Sequence, residues 1–167
     1  MSRPKLVGQY TNKIDAKGRT FLPKRLLRQV IARWGDEPRL FLTFMGFEPC
    51  LVLVERDEWI AKRQKFSALD WMDEDAARLR RLASLGDNIR MDDQGRLAVP
   101  AFLRGLVGIE DQITFVGCED YIELWKPENV QNALGDLMAE ASELIKRVQD
   151  RSAAAGAIRE DGEHPDA

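Results

Sequence analysis

Two acid–base pairs at the same spacing are the first residues with chemical potential. Asp15 precedes Arg19 by four positions, and Asp92 precedes Arg96 by four. Both pairs sit in the longer pattern Asp-x-x-Gly-Arg-x-x-x-Pro, completed by Gly18 and Pro23 in the first copy and by Gly95 and Pro100 in the second. Glycine takes positive φ without strain, so each Asp-x-x-Gly stretch suits a tight turn. Two roles stay open for the pair. The carboxylate and guanidinium can hold each other and fix the turn, or the arginine can reach outward to a phosphate or a base edge. An arginine's planar donors can serve both partly. Because both copies carry the pattern, the structural role gains weight, most of all for Arg96.

Little else in the chain offers chemistry. The only histidine, His164, lies in an acidic C-terminal stretch, so the folded body has no imidazole for acid–base work near neutral pH. Cys50 and Cys118 are too few for a disulfide framework or a zinc site and read as small apolar core residues. No glycine-rich phosphate loop or metal-ligand spacing appears. The expectation is no enzyme, no catalytic residue, no metal or other cofactor and no small-molecule substrate. No apolar run is long enough to span a bilayer, and the N-terminus lacks a signal-peptide stretch, so a cytoplasmic protein is expected.

Charge is distributed unevenly. The net charge is −3, which alone speaks against nucleic acid. Residues 1–33, however, hold Arg3, Lys5, Lys13, Lys17, Arg19, Lys24, Arg25, Arg28 and Arg33 against Asp15 alone, nine minus one, leaving −11 for the rest. Such asymmetry predicts one basic face.

The elements that must position these residues follow from periodicity. Residues 9–23 read as strand, turn and strand, with Pro23 opening a helix over 24–34 whose apolar stripe is Leu26, Leu27, Val30 and Ile31. Strands are expected at 40–44 and 50–54, joined through Met45–Pro49. Asp57 is the expected cap of a helix starting near Trp59. Residues 57–85 are expected as two helical segments, the first marked by Trp59, Ile60, Phe66 and Leu69, the second beginning at Asp73–Asp75 and stopping at Gly86. A second strand-turn-strand spans 88–100, followed by AFLRGLVGI and by strands at 112–116 and 121–125. Pro127 opens a long helix with Val130, Leu134, Leu137, Leu144 and Val148 on one face. From about residue 150 a frayed tail is expected, although Ala153–Ala155 favour helix.

The second half repeats the first. The two motifs lie 77 positions apart, Ile14 matches Met91, Leu22 matches Val99 and Leu26 matches Leu103. Gly46-Phe47-Glu48 aligns with Gly117-Cys118-Glu119. A unit of about 45 residues buries little core alone, so pairing the copies is the economical solution.

The segments IDAKGRTFLP, CLVLVERDEW, MDDQGRLAVPAFLR, VGCED and IELW, in this order, resemble the MraZ family, whose hallmark is Asp-x-x-x-Arg in two tandem SpoVT-AbrB domains. The resemblance covers roughly residues 5–150. It implies an α+β fold: two AbrB-type swapped-hairpin units forming one pseudo-twofold β-barrel with flanking helices. The repeats are expected at 5–56 and 86–129, a helical connector at 57–85, a C-terminal helix at 130–150 and a flexible acidic tail at 151–167. It further implies ring-shaped homo-oligomers and binding to double-stranded DNA, at direct repeats in the promoter of the division and cell-wall gene cluster that begins with the regulator's own gene. Repression and a nucleoid location are the expected outcome.

The family favours arginine four positions after the motif proline. The second copy has Arg104, but the first has Leu27, with Arg28 one position on and pointing elsewhere on the helix. Charge separates the copies further. Residues 86–126 carry four basic residues and eight acids, Lys17 aligns with Gln94, and Lys24-Arg25 aligns with Ala101-Phe102. The expected DNA-binding residues are therefore Lys13, Lys17, Arg19, Lys24, Arg25 and Arg28, with Asp15, Arg19, Asp92 and Arg96 as the turn motif. An antitoxin-like protein with a protein partner, or a ring scaffold without nucleic acid, is the alternative.

Overall fold

The computed structural model describes residues 2–45, 48–67 and 70–160, with side chains described except at 65–67 and 157–160. The Gly46-Phe47 match, the Phe66 and Leu69 side chains and the last part of the expected tail, 161–167, lie outside the described residues. The first repeat supplies β1 (Leu6–Lys13), β2 (Arg19–Phe21), α1 (Lys24–Trp34), β3 (Leu40–Phe44) and β4 (Cys50–Glu55). Two helices follow, α2 (Arg56–Ser67) and α3 (Glu74–Ala83). The second repeat supplies β5 (Gly86–Ile89), β6 (Arg96–Ala98), α4 (Ala101–Val107), β7 (Gln112–Glu119) and β8 (Ile122–Trp125), before α5 (Pro127–Glu160).

The strands exchange between repeats. The main sheet has the order β1-β7-β8-β4-β3-β5, all antiparallel, and β2 pairs with β6 in a separate ribbon. Swapping each strand for its counterpart in the other repeat returns the same order reversed. A pseudo-twofold axis therefore passes between β4 and β8. β1 of the first repeat lies on β7 of the second, and β5 of the second lies on β3 of the first. Neither repeat keeps its own first strand.

The expected barrel is corrected: the six-stranded sheet is open, with β1 and β5 at its two ends. The chain leaves each end strand through the motif turn, and the next strand is spent on the β2–β6 ribbon rather than on closing the sheet. The exposed edge is managed otherwise. The Gln29 side chain on α1 accepts the Val7 N–H of β1 at 2.8 Å, which removes one open edge donor.

Between sheet and ribbon lies one core. Leu26 and Val30 of α1, Leu103 and Val107 of α4, Leu22 and Val99 after the ribbon strands, and Leu53, Phe115 and Leu124 of the sheet are all buried in one cluster. The apolar stripe read for α1 is thus its inward face. Truncating a fully buried leucine such as Leu103 to Ala is the kind of change that costs about 2–5 kcal/mol.

The connector differs in detail from expectation. Asp57 does not cap α2. The Glu55 carboxylate accepts the N–H groups of Asp57 at 2.7 Å and Glu58 at 3.1 Å, so α2 starts at Arg56 while Asp57 pairs with Arg39. Trp59 stacks on Phe41 of β3 with ring centroids 5.9 Å apart. Asp73 caps α3 through Ala76 N–H at 2.7 Å. Gly86 does not stop α3, which ends at Ala83 with Ser84 as its cap; it begins β5 opposite Thr43, where a Cβ would meet the Phe41 ring at 2.3 Å. The helix α5 continues through Ala153–Ala155 to Glu160, so the tail expected from 151 is helical that far. Alanine's high helix propensity accounts for it.

Gly18 (φ +80°) and Gly95 (φ +82°) both need the left-handed region, but their surroundings differ. A Cβ on Gly18 would lie 2.2 Å from the Val99 carbonyl oxygen, whereas on Gly95 the nearest atom is the flexible end of Leu27 at 3.0 Å. Gly18→Ala is therefore expected to destabilise the fold more than Gly95→Ala, the first by about 2–4 kcal/mol. Denaturant unfolding of the two variants checks this, and equal losses would refute it.

Candidate nucleic-acid interface

The two motif turns are built the same way. Asp15 Oδ1 accepts the N–H groups of Lys17 and Arg19, both at 2.9 Å, and its Oδ2 receives Arg19 Nε at 2.7 Å. Asp92 Oδ1 accepts Gln94 N–H at 3.0 Å and Arg96 N–H at 2.9 Å, with Arg96 Nε 3.1 Å from Oδ2. The carboxylate thus closes the turn and anchors the arginine. The Arg19 backbone N–H, then its side-chain hydrogen bond, holds the Asp15 carboxyl below the usual carboxylate range.

What remains of each arginine differs. Arg19 uses Nε on Asp15, its terminal nitrogens bond to none of the described residues, and its side chain is 64% exposed. Arg96 also donates Nη2 to Gln94 Oε1 at 3.0 Å, and its guanidinium lies 5.7 Å from the Phe21 ring centroid. In geometry, Arg19 can hold its turn and still present a fork, while Arg96 is engaged on three sides.

Exchange also crosses the turns. Leu22 N–H donates to Gly95 O and Val99 N–H to Gly18 O, each at 2.8 Å, as a reciprocal pair. Arg104 Nε donates to Val99 O at 3.1 Å and Nη2 to Ala16 O at 3.4 Å, so the second repeat's arginine braces the first repeat's turn. The equivalent Leu27 packs instead beside Gly95 of the second turn and against the core. Arg28 is exposed and does not take over the Arg104 role. A hydrophobic contact stands where the other side has hydrogen bonds.

All six expected cations, Lys13, Lys17, Arg19, Lys24, Arg25 and Arg28, are exposed. They do not form one cluster belonging to one repeat. Lys17 lies in the turn braced by Arg104, whereas Lys24 shares a groove with Tyr10, Asn12, Phe21 and the second repeat's Gln94. Lys24 and Arg25 occupy the first turn of α1, which carries no acid and no side-chain cap. Cations there are disfavoured by the helix dipole, and backbone N–H groups are left open, a combination that an anion would relieve.

Three of the nine N-terminal cations are committed elsewhere. Arg33, its side chain 6% exposed, pairs with Glu58 at 3.1 Å and Asp120 at 3.0 Å; Arg3 pairs with Glu58, and Lys5 with Glu119 at 3.2 Å. Burial would raise the Asp120 carboxyl, but the Lys62 hydrogen bond and the charges of Lys62, Arg33 and Lys5 outweigh it and hold it low. Sequence reasoning missed this network because its acids lie in the connector and the second repeat.

Beside the β4–β8 pair, Met45, Cys50, Val54, Trp59, Lys62 and Tyr121 line a mostly apolar cavity. Burial, then the charge of Glu123, pushes both the Cys50 and Cys118 thiols up to about 12. Among the described residues, no three His, Cys, Asp or Glu side chains group to hold a metal.

Fold and site together define an α+β tandem-repeat protein whose exchanged hairpins present an asymmetric basic surface. The chain belongs to the MraZ family: the family model described as "MraZ protein, putative antitoxin-like" matches residues 6–82 and 85–151. Among its relatives, the transcriptional regulator MraZ of Thermomicrobium roseum is 33% identical over 143 residues, covering 85% of this chain and 96% of that protein. The same-named protein of Carboxydothermus hydrogenoformans is 28% identical over 145 residues, covering 86% and 96%. That of Heliobacterium modesticaldum is 32% identical over 123 residues, covering 73% and 81%. The family is one of transcriptional regulators rather than enzymes.

Two measurements follow. Because the folded Asp15 carboxyl is held low, its contribution is complete above the unfolded carboxylate value and fades as pH falls through the folded one. The stability gap between the wild type and Asp15→Asn should therefore be constant near neutrality and close in acid; a gap that widens on acidification contradicts the pairing. Both thiols should react slowly with a maleimide at pH 8 in the native state and rapidly once unfolded.

Proposed function

We propose that this chain is a sequence-specific DNA-binding transcriptional regulator acting at the nucleoid in the cytoplasm. Its targets are direct repeats in the promoter of the division and cell-wall gene cluster that includes its own gene, where it represses. Ring-shaped homo-oligomers present several copies of the site to one DNA molecule, and weak contacts then add through effective concentration. The observation that carries this reading is the free guanidinium fork of Arg19, anchored through Nε on Asp15 and flanked by exposed Lys17. An anchored fork with free terminal nitrogens suits bidentate recognition of guanine. Lys13, Lys17, Lys24, Arg25 and Arg28 suit phosphate contacts that fix register. The relatives' shared name, transcriptional regulator MraZ, supports the same reading.

The family model's antitoxin-like description favours a second reading, in which a protein partner binds alongside DNA. A toxin encoded next to this gene and co-purifying with the chain would bring that reading forward.

Affinity for the upstream DNA of the chain's own gene should fall steeply with salt, because phosphate contacts release counterions. Lys17→Ala and Lys24→Ala should each weaken binding by about threefold to tenfold with unchanged unfolding midpoints, and Gln94→Ala should do little. Gel shifts across a salt series read all three. Affinity flat in salt, or a larger loss for Gln94→Ala than for the lysines, overturns the assignment.

A further inference from the structure

The segment from Gln131 onward forms its own compact unit, the greater part of α5. Its apolar residues follow a heptad. Leu134, Ala141, Val148 and Ala155 occupy one core position and Leu137, Leu144 and Arg151 the other, alternating three and four residues apart. Much of this seam lies open to solvent: Leu137 is 47% and Val148 50% exposed, the flanking Met138 and Ile145 are 80% and 58% exposed, and Leu134, Ala141 and Leu144 are half-buried. A heptad held over three repeats is the pattern of a coiled coil, and a single helix of this kind gains little stability alone.

We propose that α5 pairs with α5 of a second copy of this chain as an antiparallel two-helix coiled coil centred between Ser142 and Glu143. Charge selects both the occupant and the direction. In the antiparallel register Ala141 faces the partner's Leu144, Leu137 faces the partner's Val148, and both contacts recur by the twofold axis. Glu140 then flanks the partner's Arg147, twice, while Met138 lies beside the partner's Ile145, twice, widening the apolar seam. Arg151 meets the partner's Leu134 near the rim, where its stem can pack and its head reach water. A parallel pair does the reverse: Arg151 faces the partner's Arg151, Glu140 flanks the partner's Ile145, and Arg147 flanks the partner's Ser152. This twofold contact is separate from the ring contact proposed above, needs no DNA, and would join two protomers or two rings.

The test uses the full chain without DNA, in a Cys50→Ala, Cys118→Ala background, spin-labelled at Ser142→Cys or at Gln131→Cys and read by pulsed EPR. The antiparallel register brings the two labels at 142 side by side and separates the two at 131 by about 35 Å along the axis, at 1.5 Å per residue. Short distances at both positions mean a parallel pair, and no short distance at 142 means that α5 does not pair; either result overturns the proposal. Glu140→Arg and Arg147→Glu should each reduce the short-distance population at 142 severalfold, and the two together should restore it. Failure of the double swap to restore it also overturns the proposal. None of these variants touches the turn residues, so DNA binding at one site serves as an independent check on folding.

Discussion

A strand that leaves its own hairpin to pair with the other repeat needs a turn that keeps its shape without help from the sheet. The aspartate carboxylate provides that here. One oxygen collects two backbone N–H groups and the other holds the arginine, while the glycine supplies the left-handed step. With both turns fixed this way, Leu22 and Val99 can each donate to the opposite glycine carbonyl, and β2 and β6 pair across the pseudo-twofold axis. The exchange of β1 and β5 onto the other repeat follows, and with it the single shared core.

Symmetry of the backbone does not extend to its chemistry. Arg104 braces the first turn with hydrogen bonds, while Leu27 supports the second by packing. Arg96 is tied to Gln94 and lies over Phe21, while Arg19 keeps a free fork. One scaffold built twice therefore offers two unlike surfaces, and among the described residues only one of them combines an anchored arginine with lysines that form no ion pair. Because the strands exchange, that surface is assembled from both repeats: Lys17 lies in the turn that Arg104 braces, and Lys24 shares its groove with Gln94.

The parts legible in the sequence were those set by local rules. The bounds of α1, the start of α3 in the acidic stretch Asp73–Asp75 and both turns follow from proline, helix-dipole and glycine chemistry within a few residues. The repeat announced that the copies share one core, because each is too small to fold singly, and the exchange of hairpins was implied by the family resemblance. What escaped depends on residues far apart in the chain. The Arg33–Glu58–Asp120 network withdraws charge from the apparent N-terminal surplus through acids 25 and 87 positions away. The open sheet departs from the expected barrel because β2 and β6 pair with each other instead of closing it. Leu27 looked like a missing arginine, and only the approach of Gly95 explains why a leucine fits there.

The central claim is that the first repeat's exposed cations, held by the exchanged turns, meet DNA. Lysine acetylation of the protein alone and bound to its upstream DNA, read by mass spectrometry, tests it residue by residue. The account predicts strong protection of Lys17 and Lys24 in the complex, with Lys62 and Lys146 reacting equally in both states. Protection of Lys62 or Lys146 with Lys17 and Lys24 unchanged would contradict it.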